Sequence, residues 1–130
     1  MRLYQITPVP KPRMTQRDKW AKRPCVLRYR AFADECRLCN VRLHADGSMV
    51  TFVLPMPKSW STKKREAMDR RPHEQKPDLS NLVKALEDAL MADDSAIHTM
   101  AARKVWGESG QIWIREWQWG DPWPGEQSDG

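Results

Sequence analysis

The sequence predicts an α+β fold: a single domain in which a small mixed β-sheet carries helices packed on it. Three stretches predict it. From Leu79 to Leu90, apolar residues fall at Leu79, Leu82, Val83, Leu86 and Leu90, the spacing of one buried helical stripe. Ser48 to Leu54 reads SMVTFVL, apolar on both faces, as in a central strand covered on two sides. Gln111 to Trp117 alternates, with Ile112 and Ile114 between Gln111, Trp113 and Arg115, as a half-buried strand does. A chain of 130 residues suits one domain and buries a modest core without staples.

In order, Leu3–Thr7 alternates and predicts a first strand. Pro8, Pro10 and Pro12 then exclude a central strand or a helix interior, leaving a stiff loop that carries Lys11 and Arg13. Arg17, Lys19, Trp20, Lys22 and Arg23 follow; such residues suit a phosphate backbone, and equally a solvated loop. Pro24 to His44 reads as a helix with the stripe Cys25, Tyr29, Phe32, Cys36, Cys39 and Leu43. Ala45-Asp46-Gly47 turns the chain into the central strand. After Pro55-Met56-Pro57, a short helix over Ser59–Met68 is expected, capped by Ser61 or Ser59 and bearing Lys63, Lys64 and Arg65. Two last strands, Ala101–Trp106 and Gln111–Trp117, are expected to form a hairpin about Glu108-Ser109-Gly110, with Gly110 supplying positive φ. Residues 1–119 are taken as the domain and 120–130 as a disordered tail.

Charge divides the chain. Residues 1–76 hold 18 Lys and Arg against 7 Asp and Glu, a balance of +11; residues 77–130 hold 4 against 10, a balance of −6. A basic half attracts a polyanion and an acidic half a divalent cation, and metal-dependent phosphodiester cleavage needs both. No apolar run approaches a membrane span, and Met1–Arg13 lacks an apolar signal-peptide core, so a cytoplasmic protein without a membrane partner is expected. The three cysteines include one C-x-x-C, short of the four ligands zinc takes, and their spacing reads as packing.

The chemistry concentrates in KPDLSNLVKALEDALMADD, Lys76 to Asp94. Asp78 is a good N-cap, preceded by Pro77. Ser80, Asn81, Lys84, Glu87 and Asp88 fall opposite the apolar stripe, and Asp93 and Asp94 lie just past the helix. A solvated amphipathic helix shows this pattern too. Acids near a helix C-terminus, however, face the negative end of its dipole, which a bound cation would offset.

The string Lys76-Pro77-Asp78-x-x-Asn81-Leu82-x-Lys84, then Asp88-Ala89-Leu90 and Asp93-Asp94-Ser95, resembles the RusA family of Holliday junction resolvases. The order of elements is similar along nearly the whole chain. The resemblance implies a Mg²⁺-dependent endonuclease (Mn²⁺ as a substitute) that acts as a homodimer on four-way or otherwise branched DNA in recombination and repair. It makes Asp78 and Asp94 metal ligands, Lys84 a catalytic cation, and Asn81, Asp88 and Asp93 supporting groups around them. Lys11, Arg13, Lys63, Lys64, Arg65, His73 and Lys76 become candidate DNA contacts. One residue departs: Ser80 stands where the family pattern has a second Asp. Ser80 and Glu87 are seven residues apart and about 20° apart around the helix. Glu87 is therefore the candidate replacement ligand, with Ser80 at most holding a water. The alternative is a RusA-like protein that binds branched DNA without cutting it.

Overall fold

The computed structural model describes residues 1–13, 23–44, 46–90 and 99–122. Its elements are β1 (Arg2–Tyr4), α1 (Pro24–Leu38), β2 (Ser48–Pro55), α2 (Thr62–Met68), α3 (Leu79–Leu90), β3 (Met100–Gly107) and β4 (Gln111–Glu116). The sheet runs β1-β4-β2-β3. β2 is parallel to β3 and antiparallel to β4, and β4 is antiparallel to β1, so the sheet is mixed as expected.

β2 is the central strand its composition predicts: every residue from Ser48 to Leu54 is buried. Val50, Phe52 and Leu54 face the helices, joined there by Ile112 and Ile114 of β4. α1 contributes Phe32, Ala33 and Cys36 to this layer, and α3 contributes Leu82, Ala85, Leu86 and Ala89. Truncating Phe52 to Ala in such a core would cost about 3–5 kcal/mol. On the sheet's other face Met49, Ala101 and Trp117 form a smaller cluster.

The expected hairpin does not form. β3 and β4 flank β2 and do not pair with each other. A strand buried on both faces takes a neighbour at each edge, and these are the two that flank it. The connector therefore passes over the end of β2, a span of roughly 10 Å, which three extended residues cover. Its glycines serve close approach. A Cβ on Gly107 would lie 2.3 Å from Val53 Cγ1, and one on Gly110 would lie 2.3 Å from Thr7 Oγ1. Gly110 is not at positive φ, contrary to the expectation from the turn.

α1 ends six residues earlier than its apolar spacing predicts. Asn40 takes φ 55°. Its N–H donates to Arg37 O (3.1 Å), and Val41 N–H donates to Cys36 O (3.0 Å). These two bonds form a Schellman stop, with Val41 packed in the same core as Cys36. Cys39 consequently leaves the stripe and is exposed, and Val26 and Ala33 are buried instead. α2 begins where predicted: Ser61 Oγ accepts from Lys64 N–H at 3.2 Å. β1 is shorter than expected and starts one residue earlier. Residues 118–122 turn back on β4, with Trp117 Nε1 donating to Asp121 O at 3.0 Å. The rest of the expected tail, and Trp20, lie outside the described residues. Among the described residues no helix is long and apolar enough to cross a membrane.

Candidate functional site

α3 starts where its sequence predicts, but among the described residues no backbone N–H donates to the Asp78 carboxylate, so the expected side-chain cap is not formed. The Asp78 carbonyl accepts the first helical bonds, from Asn81 N–H (3.1 Å) and Leu82 N–H (3.2 Å). Its carboxylate takes Lys76 Nζ, at 3.0 and 3.2 Å. Lys76, a candidate DNA contact, is thus an exposed partner of the leading metal-ligand candidate.

A residue the sequence reading missed holds this start in place. Lys104 of β3 donates its ammonium to Pro77 O at 2.7 Å and also to Gln75 O. It ties the sheet to the loop that presents Asp78. The local signal is weak: Lys104 stands beside Arg103 in the middle of β3, and nothing in that pair points to the loop before Asp78.

The outward side of α3 opens into two depressions. One, of about 500 Å³, is lined by Ser80, Val83, Lys84, Glu87 and Asp88 among others. Ser80 and Glu87 therefore share a side two turns apart, as their spacing requires. The other, of about 430 Å³, is lined by Lys11, Pro12, Arg13, Asn81 and Lys84. Lys84 borders both, with carboxylates on one side and cations on the other. Among the described residues Lys84 makes no ion pair, so it does not take Asp88, four residues on, as a partner.

Asp88 instead pairs with Lys11, from the proline-rich loop. Lys11 N–H also donates to Asn81 O at 3.2 Å, so the loop lies along α3. The bond to Asp88 raises the Lys11 pKa. Lys11 is therefore a latch between loop and helix, and of the loop's two candidate DNA contacts Arg13 is the more exposed. Burial raises the Tyr29 hydroxyl pKa, and the nearby Asp88 charge adds to this. At the far end of α3, Arg37 Nε caps the Ala89 carbonyl at 3.0 Å, a cation at the negative end of the dipole.

The basic segment before α3 is ordered against the sheet edge. Arg70 N–H donates to Trp106 O (2.9 Å), Trp106 N–H to Arg71 O (3.0 Å) and His73 N–H to Lys104 O (3.1 Å). Residues 70–73 thus line the outer edge of β3 and lead directly into Asp78. His73, expected to contact DNA, is only 5% exposed, so its ring has no route to a phosphate. Its ring packs tilted against Trp106, centroids 4.0 Å apart, and burial, then Lys104, lowers its pKa. Trp106 meets Trp60 at 4.8 Å, and Lys64 Nζ sits 4.4 Å from the Trp60 ring centre. This aromatic column props α2 so that Lys63 and Lys64 face solvent. Arg65 turns inward, its guanidinium donating to Pro57 O at 2.9 Å, and serves α2 more than a ligand.

Asp93 and Asp94 lie outside the described residues. Among the described residues no group of three His, Cys, Asp or Glu gathers to hold a metal ion. The cysteines form no such group either, and burial pushes the Cys36 thiol up to about 12, as for a packing residue. Asp78 and Glu87 are hard oxygen donors of the type Mg²⁺ takes.

Compared with known protein families, the chain matches the model of the endodeoxyribonuclease RusA over residues 5–115, from the end of β1 almost to the end of β4. The same comparison with curated proteins and with solved structures found no match.

Proposed function

The chain belongs to the RusA family of endodeoxyribonucleases, Holliday junction resolvases of DNA recombination and repair, and on that premise we propose that it cuts branched DNA at a Mg²⁺ site formed by Asp78, Glu87 and Asp94. Nucleases of this family are generally metal-dependent. The donor set fits: carboxylates suit Mg²⁺, and Glu87 restores the acid that Ser80 lacks. When bound, the ion acidifies a water and neutralises charge on the phosphodiester; Mn²⁺ offers the same donors' chemistry.

The chain's own groups do the rest. Asp78 is oriented by Lys76, at the end of a loop pinned by Lys104. Lys84, between the two depressions, donates to a non-bridging oxygen of the scissile phosphate as charge develops there. Asn81, Asp88 and Asp93 orient the groups around the site. Arg13, Lys63 and Lys64 hold flanking phosphates. Two strands of a four-way junction must be cut symmetrically, so a two-fold homodimer supplies the second site. Its DNA substrate makes the cytoplasm its expected compartment.

The observation that supports this reading best is the shared depression of Ser80, Lys84 and Glu87 on the helix that Asp78 begins. The test is nicking of a synthetic four-way junction in Mg²⁺. Asp78→Asn and Asp94→Asn should each abolish cutting while leaving junction binding largely intact. Wild-type rates in either variant would remove that residue from the ligand set. Light scattering should give a dimer; a fully active monomer would remove the symmetry argument.

A further inference from the structure

At the edge of the sheet opposite α2 lies a cleft of about 350 Å³ that the cutting chemistry does not use. Arg2 of β1, Arg42 and His44 of the α1–β2 loop, and Arg115 of β4 line it, with Tyr4 and one acid, Glu116. Three separate parts of the chain thus bring basic groups to one place. Among the described residues none of the three arginines has a carboxylate within ion-pair distance. Arg42 Nε reaches only Asn40 Oδ1 at 3.2 Å, and Arg115 Nη2 only Pro122 O at 2.6 Å. Arg115 Nε is buried and has no hydrogen-bond partner.

Gathering like charges costs free energy, and a buried guanidinium N–H without an acceptor costs more. An anion offering several oxygens relieves both costs. The planar guanidinium fork matches phosphate, and three such groups around one small cleft match a tetrahedral oxyanion better than a carboxylate.

We propose that this cleft binds a backbone phosphate on a second arm of the branched DNA, apart from the arm being cut. The assignment of DNA as ligand rests on the function proposed above; the anion site rests on the cleft itself. The cleft lies along β1 and β4, whereas α2 and residues 70–73 lie beyond β3. Three strand intervals separate β1 from β3 and a fourth reaches residues 70–73, roughly 19 Å in all. α1 and α3 rise about 10 Å above the sheet between them. A straight duplex laid along one edge does not reach the other, whereas arms leaving a branch point in different directions reach both.

The test is equilibrium binding of a labelled four-way junction and of a linear duplex, across a salt series, in EDTA so that nothing is cut. In the double variant Arg2→Gln, Arg42→Gln, both exposed side chains, junction affinity should fall about tenfold. Its log–log salt slope should become shallower by about one, the share of one phosphate. Duplex affinity should change less than twofold. Glu116→Gln, which removes the one acid, should tighten junction binding two- to threefold, so the proposal remains testable if the double variant folds poorly. Unchanged junction affinity and slope in the double variant, or weaker binding in Glu116→Gln, would overturn the phosphate site. Equal losses on junction and duplex would overturn its assignment to a second arm. Because binding is read without Mg²⁺, a wild-type protein that binds junctions but never cuts them would refute only the nuclease reading.

Discussion

Breaking the Lys11–Asp88 pair separates two roles for Asp88. The pair joins residues 77 apart and fastens the proline-rich loop to α3. Its side chains are 29% and 30% exposed, so water screens them and the 3–5 kcal/mol lost on breaking a fully buried pair does not apply. A charge-assisted hydrogen bond contributes about 1.5–3 kcal/mol and an exposed ion pair about 0–1. The pair falls between them, and a coupling of about 1 kcal/mol is expected. In a chain of 130 residues that corresponds to about 4 °C in Tm. The assay is a double-mutant cycle of Lys11→Met and Asp88→Asn, followed by urea unfolding and by junction cutting. Each single variant should cut about fivefold more slowly, the equivalent of 1 kcal/mol. The double variant should be no worse than either. A coupling within about 0.3 kcal/mol of zero would refute the latch. So would an Asp88→Asn variant that loses all cutting beside a Lys11→Met variant that keeps it, because the carboxylate would then be acting at the metal.

Glu87→Gln should lose cutting as completely as Asp78→Asn while still binding junctions. Normal cutting would pass the role to Asp88 or Asp93, and a wild type that cuts only after Ser80→Asp would mean that Glu87 does not substitute. Lys104→Met removes two charge-assisted bonds to the loop before Asp78. It should cost about 2 kcal/mol in urea unfolding and lower kcat with junction Kd unchanged; a variant as stable as wild type would show that Lys104 holds nothing. Lys63→Glu with Lys64→Glu should weaken junction binding and flatten its salt dependence; an unchanged slope would move the DNA off α2. His73 has a folded pKa below its ordinary 6.5, because its protonated form is disfavoured in the fold by burial and by Lys104. The unfolded chain therefore binds this proton first, so stability is complete above about pH 6.5 and declines as pH falls below it. His73→Phe should flatten that part of a Tm–pH profile, and an unchanged profile would assign the decline to other groups.

What the sequence determined by itself is what depends on neighbours along the chain. The stripe of α3 and the opposite placement of Ser80, Lys84 and Glu87 follow from the helical period, and the Ser61 cap from one local hydrogen bond. The burial of β2 was legible because both of its faces are apolar. The stop at Asn40 was also written locally, as a residue that tolerates left-handed backbone, but the apolar spacing ran through it. The tertiary structure decided which distant groups meet. It set β2 between β3 and β4, although a short turn joins those two, because strand pairing satisfies backbone groups across the sheet and not along the chain. It gave Asp88 to Lys11 in place of Lys84, buried His73 under Trp106, and recruited Lys104 to the loop before Asp78. A charged side chain takes whichever partner the folded chain brings near, and for these residues the partner arrives from elements far away in sequence.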